Sequence, residues 1–303
     1  MIASCPKGDL REAAWIDLSS PSETELRQVR ALTGLEVPTQ EQVSEIESTS
    51  RLAFEDGSYW LSTPLVSSAH GGHLMVVPVG FVLSEKHLLT VRFAEVKAID
   101  AALSTCKETS AQGAFVHVLE VVIDRLADAL ERASADSEVL AHETFRTPPQ
   151  PGRRARDLRE TLRQVGAVAE HNSHVRDALL GVGRIAAYAN TVDGAPRIDA
   201  GRLSAIRADV ASLTDYESHL AGKIQFLLDA TLGFISVEQN DVVKTLTIAS
   251  VVGIPPVLIA GIYGMNFKYM PELSWRYGYP AAIALMIVSG LIPFLWFKRR
   301  GWT

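Results

Sequence analysis

Two stretches near the end of the chain carry no charge, TLTIASVVGIPPVLIAGIY (Thr245–Tyr263) and YPAAIALMIVSGLIPFLWF (Tyr279–Phe297), each of 19 residues. As helices rising 1.5 Å per residue, each just spans a hydrocarbon core of about 30 Å. Two adjacent runs of this kind point to a pair of transmembrane helices rather than to buried core helices. Aromatics fall where the interfaces belong, with Tyr263, Trp275, Tyr277 and Tyr279 at one side and Trp296, Phe297 and Trp302 at the other. Lys244 precedes the first run and Lys298, Arg299 and Arg300 follow the second, while the connector holds Lys268, Arg276 and Glu272. The positive-inside bias predicts a two-span protein of the cytoplasmic membrane, with both chain ends in the cytosol and the connector outside. Pro255 and Pro256 interrupt the first run. They free backbone carbonyls that need partners in lipid, so this span is expected to face other helices or water.

Upstream, the pattern changes twice. AAWIDL (Ala13–Leu18) predicts a strand, and SPSETELRQVRALTG a helix with Ser20 as N-cap, Pro21 at the first position and Gly34 as the stop. RLAFEDGSYWLSTPLV alternates around Asp56–Gly57, a hairpin signal, and HLMVVPVGFVLSEKHLLTVRF adds two strands joined through Ser84–Lys86. From Glu95 the period becomes helical, with helices over Glu95–Lys107, Gly113–Phe145 and Arg153–Thr191, broken by TPPQPG and VDGAP. No strong stop separates Ile198 from Gly264, which predicts one helix of roughly 65 residues and about 100 Å. The expected fold is an α/β cytosolic domain, a very long stalk helix and two transmembrane helices. In residues, that is an N-terminal α/β domain (1–110), a helical hairpin region (111–197), the stalk continuing into the first span (198–263), the outer loop (264–278), the second span (279–297) and a basic tail (298–303).

Composition narrows the function. A formal net charge of -6 argues against nucleic acid as a partner, since phosphate binding needs a concentrated basic face. The N-terminal MIASCPKGDLREAAW has no apolar core behind basic residues, so no signal peptide is expected. Cys5 and Cys106 are too few for a disulfide framework and fit no metal motif, which predicts a reducing compartment. His171 and His174 in HNSH stand one helical turn apart, a spacing open to zinc but more often a solvated face, and no third ligand is evident. His70 and His73 in HGGH read as a turn. No phosphate loop is present, no enzyme constellation appears, and no cofactor is implied.

One feature of the long helix is suited to transport. Steps of three and four, the period of a seam in a left-handed bundle, connect Asn240, Val243, Thr247, Ser250, Ile254, Val257 and Gly261. The stripe is small or polar at several levels, with an apolar band at Ile254 and Val257. It fits either a pore lining or a small-residue packing face between membrane helices. Two spans cannot enclose a path alone, so conduction would require several copies around an axis.

The loop between the spans carries YGMNF (Tyr263–Phe267) followed by MPEL (Met270–Leu273), and these residues closely resemble the CorA family of magnesium transporters. The flanks agree: GFISVEQNDVVK before, W-x-x-G-Y-P (Trp275–Pro280) after, and FKRRGW at the close. The likeness is strong over Asp229–Trp302 and weaker over the N-terminal region, where WIDL and LLTVRF fit. The resemblance implies a homopentameric funnel whose first span lines the pore and whose second lies outside it. It implies Asn266 as the mouth ligand for hydrated ion, with Tyr263, Gly264 and Met265 holding the loop. Asn240 becomes an inner polar ring, and residues between the rings, Leu246 included, form the lining and a hydrophobic gate. Magnesium is the implied cargo, with cobalt and nickel beside it; zinc is the alternative because zinc-transporting relatives share the fold, and a membrane-anchored regulatory protein that conducts nothing is the alternative of a different class. The family closes on cytosolic metal. Asp229 matches one position where some members carry acid, and Glu238 and Asp241 flank the inner end as sensors or as ordinary solvated charges.

The residue types suit that chemistry. Magnesium gives up its waters reluctantly, so a ring of neutral amide oxygens can accept hydrogen bonds from a hydrated ion without trapping it. Glu272 either raises cation concentration at the entrance or is a solvated loop carboxylate. Gly264 is expected to end the helix with positive φ, and Tyr263 and Phe267 to anchor the loop.

Overall fold

The computed structural model describes every residue except Lys7, 46–51, 69–73, 147–153, Phe267, Tyr269 and Thr303. The turn expected at His70 and His73, the TPPQPG break and the Phe267 anchor lie outside the described residues. The chain divides into two compact units, Met1–Pro148 with Glu160–Leu228, and Pro149–Arg159 with Asp229–Thr303.

The first unit is built on a six-stranded sheet. Its strands are β1 (Ile2–Cys5), β2 (Trp15–Ser19), β3 (Leu52–Glu55), β4 (Ser58–Ser68), β5 (Leu74–Leu83) and β6 (Leu88–Arg92), in the order β1-β2-β6-β5-β4-β3. Only β2 and β6 pair in parallel, with Trp15 opposite Leu88. The hairpin expected at Asp56–Gly57 is present, with φ of 49° and 74° at the two turn residues, the conformation that Asp-Gly favours.

The strands sort their side chains by period two onto two cores. Trp15, Phe81, Leu83 and Leu88 face one, with Ile99 of α3 (Lys97–Thr105) and Phe115 and Leu119 of α4 (Ala111–Arg146). Ile16, Leu18, Val82, Leu89 and Val91 face the other, with Val29 of α1 (Glu23–Thr33). Phe81 and Phe115 meet edge to face at 6.1 Å. Because both faces are covered, β2 and β6 read as near-continuous apolar runs. A short α2 (Gln40–Ser44) was not evident from periodicity. Thr39 caps it through a reciprocal bond pair with Gln42.

Within the sheet, Asp17 is a buried acceptor. It takes the Thr90 hydroxyl at 2.6 Å and Arg92 Nη2 at 2.9 Å. Burial pushes its carboxyl above the usual range, against the pull of Arg92.

Helices complete this unit. The packing continues through α5 (Arg154–Tyr188) and the first part of α6 (Ala200–Tyr263), where Val175 and Leu179 share a core with Leu203 and Ile206. The VDGAP break is closed by Asn190, which donates to Ile198 O at 2.8 Å and accepts Ile198 N–H at 3.0 Å. Arg202 forks onto Glu120 at 2.9 and 2.6 Å and reaches Glu108 at 3.0 Å.

Two expectations are corrected here. The N-cap of α1 is Ser22, not Ser20: Ser22 and Glu25 form a capping box, Glu25 accepting Ser22 N–H at 2.8 Å. Ser20 instead takes φ 44° and continues the sheet pairing through its N–H to Arg92 O. Gly34 ends the helix at φ 73°, as its sequence position predicts. Second, Cys5 and Cys106 form a disulfide across a separation of 101 residues. The fold brings the end of β1 beside the C-cap of α3, a proximity that residue spacing does not encode. A closed loop of that length restricts the unfolded chain by roughly 4–5 kcal/mol in the chain-entropy account.

The second unit holds the rest of α6, a 3₁₀ turn (Pro271–Ser274) and α7 (Gly278–Arg299). Both helices are long and apolar enough to span a bilayer, and 0% and 11% of their apolar windows are buried. A core helix would be largely buried, and these two are not.

Candidate ion path

Within the second unit, α7 packs on one side of α6. Gly290 lies at the contact, where an added Cβ would stand 3.3 Å from Val252 O and 3.5 Å from Pro256 Cγ. The position follows from chemistry, since Pro256 has no N–H and leaves the Val252 carbonyl without its helical donor. A residue without a side chain lets α7 cover that carbonyl closely. Further along, Ala260 and Tyr263 meet Ala282 and Met286 around a cavity of about 400 Å³.

The stripe lies elsewhere on α6. At about 100° per residue, Thr247, Ser250, Ile254, Val257 and Gly261 lie roughly 150° round the helix from the Val252–Pro256–Tyr263 face. The apolar stripe residues are open: Val243 is 60% exposed, Ile254 62% and Val257 71%, with Leu246 beside them at 67%. Thr247 Oγ1 donates to Val243 O at 2.8 Å and Ser250 Oγ to Leu246 O at 2.9 Å. With the hydroxyl protons turned into the helix, the oxygens keep lone pairs for other donors.

Asn240, which opens the stripe, and Asn266, past the end of α6, are both exposed, and among the described residues no hydrogen bond holds either side chain. Asn240 lines a cavity of about 350 Å³ with Asp241, Val243, Lys244, Thr247 and Trp302. Asp241 pairs with Lys244 at 3.2 Å. Glu238 is half-buried and Asp229 exposed on the same helix.

At the other end, α6 stops when Gly264 N–H bonds Ala260 O at 2.9 Å and Met265 N–H bonds Ile262 O at 3.2 Å. Gly264 does not take the positive φ expected of it. An added Cβ would stand 3.1 Å from Ala260 O, the carbonyl that accepts the Gly264 N–H. Met265 and Asn266 follow as exposed residues, and Glu272 sits in the 3₁₀ turn. Gly264, Met265 and Asn266 are therefore presented together where α6 ends.

Gly301 and Trp302 have a structural part that their position in the tail did not signal. Gly301 takes φ 71°, its N–H bonds Lys298 O at 3.2 Å, and Trp302 N–H bonds Phe297 O at 3.1 Å. That is a Schellman ending, completed by the Phe297 and Trp302 rings at 5.3 Å. It sets Trp302 beside Asn240. The Gly following the last helical Lys and Arg residues was the available signal.

The histidine pair gathers no third ligand. His174 Nε2 stands 3.9 Å from Glu170 Oε1, and among the described residues no group of three metal-ligating side chains forms.

The profile of the family described as CorA-like Mg2+ transporter protein matches residues 11–299. The chain is 30% identical over 299 residues to the magnesium transport protein CorA of Yersinia pseudotuberculosis, covering 97% of this chain and 93% of that protein. It is 33% identical over 307 residues to the magnesium transport protein CorA of Sodalis glossinidius, covering 98% and 94%. Its fold is similar to the complete structure of the CorA magnesium transporter from Methanocaldococcus jannaschii, with a TM-score of 0.73 at 19% identity over 98% of this chain and 94% of that one. The chain belongs to the CorA family.

Proposed function

We propose that this chain forms a membrane channel for divalent cations whose main cargo is magnesium, with cobalt and nickel as lesser cargo, built as a homopentamer around the α6 stripe. The observation that carries the reading is the placement of that stripe on the side of α6 turned away from α7. One chain covers the proline face itself and leaves the polar and small residues for an axis shared by copies. The names of the relatives support magnesium as cargo.

On this reading both chain ends are cytosolic and the connector is outside, as the basic flanks require. Asn266 forms a ring of amides at the mouth, held by Gly264 and Met265, and meets hydrated ion through its coordinated waters. Glu272 raises the local cation concentration. The lone pairs of Thr247 and Ser250 accept from ion-bound water along the path. Leu246, Ile254 and Val257 give an apolar constriction that empties of water when closed. Asn240 is the inner polar ring. Asp229 and Glu238 are candidate cytosolic sensing residues, and Asp241 answers to Lys244 first. The membrane potential drives entry, since two charges crossing 100 mV release about 4.6 kcal/mol.

Metal flux into proteoliposomes under an imposed potential tests the reading. Magnesium flux should appear, rise with potential, and fall about 100-fold or more in Asn266→Ala. Zinc flux without magnesium flux would replace magnesium by zinc as the cargo, and His171→Ala with His174→Ala would then be the next variants. No flux of any metal would overturn the channel.

A further inference from the structure

The first unit contains a groove that the transport reading does not use. It opens between β4, the start of α3, the middle of α4 and His171 of α5, with a volume of about 390 Å³. Its floor is apolar: Leu65, Val122, Leu126 and Ala133 are all buried. Its rim is charged. Lys97, Arg125 and Arg132 are exposed around the floor, against one carboxylate, Asp136. This excess of cations lies on a chain whose net charge is -6.

The cations are not committed to other acids. Among the described residues no ion pair holds Lys97, Arg125 or Arg132, and Arg132 Nε donates only to the Asp128 carbonyl at 3.1 Å. Arg125 and Arg132 are seven residues apart, so they project on one face of α4 about 10 Å apart along its axis. Lys97 opens α3, and the N-cap residue Val96 supplies no side-chain cap. Lys97 and Ala98 both line the groove, and the positive charge at this edge is that of Lys97, since Asp100 stands in the same first turn.

An apolar floor with convergent cations and a volume in the range of ligand pockets is the usual form of a small-molecule site. We propose that this groove binds a small organic anion carrying an apolar body, the body on the Leu65–Leu126 floor and the anionic head between Arg125, Arg132 and Lys97. A bare inorganic anion leaves the floor uncovered, and a neutral apolar molecule leaves the cations unmatched. The inference does not depend on which metal the protein carries, or on whether it carries one.

The probe is 1-naphthyl phosphate, titrated calorimetrically against the full chain in lipid nanodiscs, with protein-free nanodiscs subtracted. Saturable binding at one site per chain is expected. Arg125→Gln with Arg132→Gln, both on exposed side chains, should weaken it at least 10-fold, and Ala129→Trp should block it. 1-Naphthol and inorganic phosphate should each bind at least 10-fold more weakly. Absence of saturable binding overturns the site. So does unchanged affinity in the double arginine variant. Naphthol binding as tightly as its phosphate would reduce the groove to an apolar crevice, and phosphate binding as tightly would reduce it to a cationic patch. Either overturns the proposal.

Discussion

Trp15 and Val257 are both large apolar residues, yet Trp15 is wholly buried by its own chain and Val257 is 71% exposed. The contrast holds across the two units. In the first, strands and helices supply both sides of the two apolar cores, and the buried Asp17 carboxylate accepts from Thr90 and Arg92. In the second, α7 packs on one side of α6, and among the described residues most of the remaining apolar surface of the two helices is exposed. A sequence can thus encode a finished core in one region and an apolar surface left for its surroundings in another. Lipid completes the outer faces of the second unit. On the proposed reading, neighbouring copies complete the stripe.

The largest expected effect separates these two kinds of apolar residue. Phe115→Ala removes a ring that packs on Phe81 inside the sheet core. It should destabilise the first unit by about 3–5 kcal/mol, read as a shift in the denaturant midpoint. Val257→Ser should leave that transition in place and instead raise magnesium leak several-fold, because a polar level in the apolar band stays wet. If Val257→Ser shifted the same transition as Phe115→Ala, the division into a self-sufficient core and an unfinished interface would fail.

A second substitution tests a close contact that the second unit makes for itself. Gly290→Leu places a branched side chain where a single Cβ already lies 3.3 Å from the Val252 carbonyl. Overpacking of this kind costs roughly 1–3 kcal/mol. The expected readout is a lower detergent-denaturation midpoint for the second unit, with loss of flux and no change in the unfolding of the first. An unchanged midpoint would mean that α7 does not depend on close approach at Gly290.

How far each region could be read from sequence follows from the same contrast. Strands β2 to β6, the Asp56–Gly57 hairpin, Gly34 and the long helix are legible because period and turn chemistry are local, whereas β1 is too short to show a period. The Ser22 cap was misplaced by two residues because Ser20 and Ser22 offer the same hydroxyl, and only the pairing of Ser20 with Arg92 chooses between them. The Cys5–Cys106 bond was illegible because 101 residues separate partners that only the fold brings together. In the membrane unit the stripe could be traced from Asn240 to Gly261 by spacing alone. Gly264 ends α6 without the positive φ that a glycine just past a helix suggests. Gly290 was missed because a glycine in an apolar run reads as a weak helix position until its partner carbonyl is known.

The smallest predicted effect concerns Gly301, where the second unit uses local chemistry as the first does. With φ at 71°, an alanine there takes a left-handed conformation that costs an L-residue about 1–2 kcal/mol. That cost falls on the ending of α7 alone, since nothing lies within 4 Å of a Cβ at this position. Gly301→Ala should therefore leave both helices intact and release the Trp302 N–H from Phe297 O. Amide hydrogen exchange at Trp302 should quicken by roughly 5- to 30-fold, the ratio that 1–2 kcal/mol represents. Exchange elsewhere in α7 should not change, while Gly301→Asn, which tolerates the left-handed region better, should fall between the two. If Trp302 contributes to the inner end of the path, flux in Gly301→Ala will change by a similar small factor. If exchange quickens and flux does not move, the Schellman ending serves the helix and not the pore.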